Sequence, residues 1–147
     1  MIRQATIADA SRIAEILIFT KRMNYRKIFR NDKVSFGEMQ VYPLAKNYLD
    51  HPEELDGIWV YDDEFVKGMM HHDGKQIAEL YVDSFFENQG IGSKLLKFAV
   101  EQLDCDFLWV LEKNTKAIRF YQRHGFVLTE EKQYEEGTTE YIVRMQR

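Results

Sequence analysis

The 147-residue chain has one cysteine, Cys105, and two prolines, Pro43 and Pro52. A lone cysteine excludes an internal disulfide framework, and no Cys/His cluster has zinc spacing, so no metal is expected. No apolar run approaches the roughly 18 to 20 residues that a membrane span needs. The start, MIRQATIADA, has no signal-peptide apolar region, so the expected location is cytoplasmic, without a membrane partner. A net charge of -4, with both signs interspersed, provides no field for capturing nucleic acid. There is neither an internal repeat nor a low-complexity linker. With 45% hydrophobic and 30% charged residues, the chain fits one domain, spanning 1–147.

Residues 76–96, QIAELYVDSFFENQGIGSKLL, carry the clearest signal. A strand pattern breaks into a glycine-bearing turn and restarts as a helix. Gly90 and Gly92 remove side chains that would hold a ligand off the backbone, and the new helix offers unpaired N–H groups and its positive dipole end. An anion, foremost a phosphate, suits that place. The P-loop spacing is absent, and Leu95 stands where a dinucleotide fingerprint needs a small residue. Downstream, a second strand-like run, Phe107 to Leu111, precedes Asn114, Ala117, Tyr121, Gly125 and Phe126.

Periodicity orders the rest. Ile2 to Ala5 reads as a strand, and Thr6 with Asp9 as a helix start. Ile13, Ile16, Leu17 and Thr20 mark one helical face. The basic and aromatic stretch from Lys21 through Tyr25 to Arg30 reads either as a solvated helix end or as a wall receiving an anionic acceptor. Ser35 to Leu49 is a second helical pattern. Gly57–Tyr61 and Phe65–His72 read as antiparallel strands around a solvent-facing acidic turn, Asp62 to Glu64. Asp73-Gly74 then forms a hairpin to Gln76–Asp83. Alternation places Glu79, Tyr81 and Asp83 on one face of that strand, and Ala78, Leu80 and Val82 on the other. The helix from Gly90 and the Phe107 strand complete a parallel crossover. Thr115–His124 is a helix, followed by strands Phe126–Lys132 and Thr139–Met145.

Glu87-x-x-Gly90-x-Gly92 together with Asn114-x-x-Ala117-x-x-x-Tyr121-x-x-x-Gly125-Phe126 resembles the GNAT N-acetyltransferase superfamily over Leu80 to Phe126. The family signature begins with Gln or Arg where this chain has Glu87, a carboxylate that would repel a pyrophosphate. The resemblance implies an α/β fold: a mixed, mostly antiparallel sheet of six to seven strands, about four flanking helices, and one parallel, splayed strand pair. It implies acetyl-CoA as cosubstrate. Main-chain groups of Leu80, Tyr81 and Val82 would meet the pantetheine arm, and the amides of Asn88, Gln89, Gly90, Ile91, Gly92 and Ser93 the pyrophosphate. Asn114 and Ala117 would line the arm, Arg123 would touch a phosphate, and Tyr121 would stand beside the sulfur as proton donor.

The general base stays open between Glu79, His71 or His72, and solvent. Cys105 lies outside the expected cleft, which favours direct transfer to a primary amine of a small molecule or peptide in a ternary complex. A noncatalytic acyl-CoA-binding module and a nucleotide-binding α/β domain are the rival readings. Homodimerisation is compatible with the sequence, and the acceptor is not identified by it.

Overall fold

The computed structural model describes residues 1–147, except the side chain of Val34. Its single sheet contains β1 (Ile2–Gln4), β2 (Ile58–Asp63), β3 (Phe65–Asp73), β4 (Gln76–Val82), β5 (Phe107–Leu111), β6 (Val127–Tyr134) and β7 (Tyr141–Gln146). Their spatial order is β1-β2-β3-β4-β5-β7-β6. Only β4 and β5 run parallel; the other neighbours are antiparallel. The helices are α1 (Ala10–Phe29), α2 (Val41–Asp50), α3 (Ile91–Leu103) and α4 (Thr115–Arg123). This is the expected mixed α/β architecture.

Each sheet face buries its own core. On one face Ile13, Ala14, Ile16 and Leu17 of α1 pack with Val60 and Met69. On the other, Leu95, Leu96 and Ala99 of α3 pack with Met70, Leu108 and Met145. Met69 and Met70, adjacent in β3, are both fully buried on opposite faces, as a period of two demands when helices cover both sides.

One helical expectation is met and another changes. α1 continues through the basic and aromatic stretch to Phe29, because Arg26 and Lys27 fall in its last turn, where cations favour the dipole. The Ser35–Leu49 pattern is two elements: a π-helical stretch, Lys33–Glu38, and α2. Gln40 separates them in extended backbone, φ -135° and ψ 144°.

The first turn does more than the expected capping. Asp9 accepts from the Thr6 N–H at 2.8 Å and is gripped by both terminal nitrogens of Arg3, at 2.8 and 2.9 Å. Arg3 also donates its Nε–H to Asp62 at 3.0 Å. The acidic turn is therefore not merely solvent-facing: Asp62 joins β2 to the start of the chain.

The placement of the site follows from β4 and β5, which pair only at Gln76–Phe107 and Ile77–Leu108. Beyond Ile77, β4 stays with β3 as far as Val82, and β5 stays with β7 as far as Leu111. Each strand keeps its outer neighbour, so the inner edges open and leave backbone polar groups free for a ligand. The register shift in this hairpin, His71 opposite Glu79 and His72 opposite Ile77, leaves Ala78 without a partner. This bulge corrects the simple alternation: Ile77 shares the α3-side core with Leu80 and Val82 while Ala78 is exposed. A bulge at the opening of the splay adds twist and re-aims the side chains that follow.

Candidate active site

The splay opens a cleft of about 710 Å³ between β4, β5, the α3 start and α4. Of the residues singled out from the sequence, Glu79, Leu80, Tyr81, Val82, Asn88, Gly90, Ile91, Gly92, Ser93, Asn114, Ala117, Tyr121 and Arg123 line it, and Gln89 does not. The cleft also collects Asn24 and Tyr25 of α1, Phe86, Trp109 and Phe120. Phe120 had a signal, its place beside Tyr121 on a short amphipathic helix. Asn24 and Trp109 had none, since their approach depends on packing between distant segments.

Local chemistry shapes the end of the cleft at the start of α3. Asn88 (φ 63°) and Gly90 (φ 82°) both adopt left-handed backbone, a turn geometry that gathers successive amides into a concave surface. Gly90 is the residue that precedes the helix, and the first backbone bond there runs from the Lys94 N–H to the Gly90 carbonyl at 3.0 Å. The amides of Ile91, Gly92 and Ser93 therefore have no intrahelical acceptor. A Cβ on Gly92 would sit 3.5 Å from Phe120 Cζ and 3.7 Å from Val82 Cγ2, so Gly92 forms part of the cleft floor. Glu87 stands at this end with Lys116 Nζ 3.8 Å from its carboxylate, which partly offsets its repulsion of an anion. Ser93 Oγ lies 3.0 Å from His124 Nε2, joining the α3 start to the end of α4. The set of open amides, Arg123 and glycine floor fits a pyrophosphate-bearing thioester.

Two structural contacts fix the entry to this turn. Arg12 donates to the Val66 carbonyl at 2.8 Å and to Asp83 at 2.7 Å. Asp83 in turn accepts from the Phe85 N–H at 2.9 Å. Asn114 caps α4 by accepting from the Ala117 N–H at 3.2 Å.

The middle of the cleft is phenolic. Burial pushes the Tyr81 and Tyr121 hydroxyls well above the ordinary phenol range. Each keeps its proton at neutral pH. Glu79 lies beside them. Burial pushes its carboxyl up, but the His71 contact at 3.4 Å and the Lys21 ammonium at 3.5 Å outweigh this and hold it below its usual range. The carboxylate is ionised and can accept a proton or bind a cation.

The two histidines separate. His71 faces Glu79, while His72 turns its Nδ1 to the Gly74 carbonyl at 3.1 Å. Cys105 is buried behind the cleft with its thiol pushed up to about 11 by burial, Asp106 and Asp104. The basic stretch is largely engaged. Arg22 donates to the Ser35 and Met39 carbonyls at 2.9 and 2.8 Å, and Arg26 to Asp32 at 2.8 Å. These arginines brace α1 against the segment before α2.

A family description, the acetyltransferase (GNAT) domain, matches residues 54–128, just over half of the chain. An uncharacterized N-acetyltransferase of Methanocaldococcus jannaschii is 31% identical over 94 residues, covering 60% of this chain and 40% of that protein. The peptidyl-lysine N-acetyltransferase YjaB of Salmonella typhimurium is 31% identical over 86 residues, 58% of each chain. The chain thus matches about half the length of these relatives. In three dimensions it is similar to the PaiA N-acetyltransferase of Thermoplasma acidophilum, solved in complex with coenzyme A: TM-score 0.69, 17% identity, 100% of this chain and 98% of that one. The splayed strands, the glycine turn and the sequence match agree, and the chain belongs to the GNAT acetyltransferase family.

Proposed function

We propose that the chain is an acetyl-CoA-dependent N-acetyltransferase that acetylates a primary amine of a small molecule or peptide by direct transfer in a ternary complex. The observation that carries this reading is the opening of β4 from β5 beyond Ile77, with the glycine cradle at one end and Tyr121 along the cleft. The family match and the peptidyl-lysine acceptor named for the YjaB relative support it.

Bound acetyl-CoA supplies an acetyl group activated as a thioester. The amides of Asn88 and of Gly90 to Ser93, with Arg123, hold its phosphates, and backbone groups of Leu80, Tyr81 and Val82 hold the arm along β4. Asn114 and Ala117 close the far side. Glu79 receives the proton lost by the attacking amine, directly or through a water, and Tyr121 carries the proton needed at sulfur as the C–S bond breaks. No side chain forms a bond to the acetyl group. Cys105, the obvious nucleophile, is a buried thiol outside the cleft. Most of the acceleration comes from holding amine and thioester together.

Glu87 favours a second reading, a noncatalytic acyl-CoA-binding module. Thermal-shift titrations with acetyl-CoA, CoA, ATP and NAD, followed by a free-thiol assay with amines, separate the two. A rise in melting temperature with the CoA pair alone, plus amine-dependent thiol release, is the expected result. A CoA shift without release leaves the binding module, and a shift with ATP or NAD alone leaves a nucleotide-binding domain.

A further inference from the structure

Ser93 lines the cofactor cleft and His124 does not, yet the Ser93 hydroxyl lies 3.0 Å from His124 Nε2. Neither side chain has another hydrogen-bond partner among the described residues. The imidazole is held by packing and by the chain around it. Phe120, a cleft residue, meets its ring edge-on at 4.9 Å between centroids. Arg147 donates its Nε–H to the His124 carbonyl at 3.1 Å, and a Cβ on Gly125 would come within 3.2 Å of that same Nε. The start of α3, the end of α4 and the residue after β7 therefore converge on one ring.

A serine hydroxyl has one proton to give. While Nε2 is bare it accepts that proton, and Ser93 faces the cradle only as an acceptor, which a phosphate oxygen cannot use. When Nε2 is protonated the roles reverse: its N–H donates to Oγ, and the hydroxyl proton is free to turn to the cradle. Nδ1 has no protein partner among the described residues, so the ring can carry both protons. The charged groups acting on it, Arg123 of α4 and Arg147, are both cations; with burial, the larger effect, they hold it below the ordinary histidine value. No carboxylate pairs with it among the described residues: the histidines beside acids are His51 and His71, and Glu87 of the cradle lies with Lys116. A diphosphate is the counter-charge this group lacks.

We propose that His124 is a positioning residue for the cofactor's diphosphate. Protonated at Nε2, it donates to Ser93, whose own proton then goes to a phosphate oxygen, so the diphosphate binds with uptake of a proton and binds more tightly as pH falls. This rests on the acetyltransferase reading above.

The test is calorimetric titration of the full chain with 3′-dephospho-CoA, which lacks the phosphomonoester that itself titrates near about pH 6. Affinity should rise roughly tenfold between about pH 8 and about pH 5.5, the equivalent of a one-unit rise of the histidine on binding. Heats in two buffers of different ionisation enthalpy should show proton uptake. His124→Gln, whose amide N–H₂ can donate to Ser93 at every pH, should flatten the profile and keep the binding. Ser93→Ala should flatten it and weaken the binding at low pH. A flat wild-type profile, binding without proton uptake, or a pH dependence that either variant keeps overturns the proposal, as does binding of CoA without binding of the dephospho form. In each of these cases CoA still binds and the acetyltransferase reading stands; absence of binding by both compounds overturns the two together.

Discussion

Tyr25 on α1 and Tyr81 on β4 bring their hydroxyl oxygens to 3.5 Å of each other, in a cleft that Tyr121 also lines. Three phenols from three elements thus share one low-dielectric space. In that setting a phenolate is disfavoured, and the charges of Tyr25 and Tyr121 add to the effect of burial on Tyr81. In the proposed reaction a neutral phenol, Tyr121, would donate the proton at sulfur.

Tyr121→Phe should lower kcat by about a hundredfold or more, the range of a general acid, and leave acetyl-CoA affinity nearly unchanged. Stopped-time thiol release measures the first and thermal shift the second. Unaltered kcat would remove Tyr121 from the chemistry.

Gly92→Val acts in the opposite sense. A Cβ there makes ordinary contact with Phe120 and Val82, so the chain still folds, but the added methyl groups fill the cradle floor. Acetyl-CoA should no longer shift the melting temperature. A valine variant that binds normally would show that the phosphates lie elsewhere.

Arg12→Met tests the brace beneath the glycine turn. It removes the donor of the Val66 carbonyl and one of the two donors of the Asp83 carboxylate, which keeps the Phe85 N–H, a loss of about 1–3 kcal/mol. Denaturant unfolding should show that loss, and CoA affinity should fall several-fold because Asp83 no longer anchors the start of the turn. Stability lost with affinity unchanged would confine Arg12 to the fold.

Asp9→Asn has a pH signature. The contact with Arg3 lowers the Asp9 carboxyl below its ordinary range; burial opposes this, and the Thr6 N–H adds to it. A depressed folded-state value means stability present above the unfolded value of about 4 and lost as pH falls through the folded one. Wild type should therefore exceed the variant by about 1–3 kcal/mol at pH 7, and the difference should vanish progressively below about pH 4. A pH-independent difference would assign the effect to packing.

What the sequence determined on its own was whatever neighbours a few residues apart can specify. Asp73-Gly74 made the β3–β4 hairpin, with Gly74 at φ 59°. Gly90 made the left-handed turn before α3, at φ 82°, and the apolar spacing of α1 and α3 chose the buried faces. Together these conveyed the order of elements and the family's cleft.

Only the tertiary structure decided what depends on register between distant strands. The bulge at Ala78 determines which histidine meets Glu79 and places Ile77 with Leu80 and Val82, and a one-residue offset of this kind leaves no periodic trace. The fate of charge was equally hidden: Arg3, Arg12 and Arg22 all find their partners through packing, whereas composition shows only that they are basic.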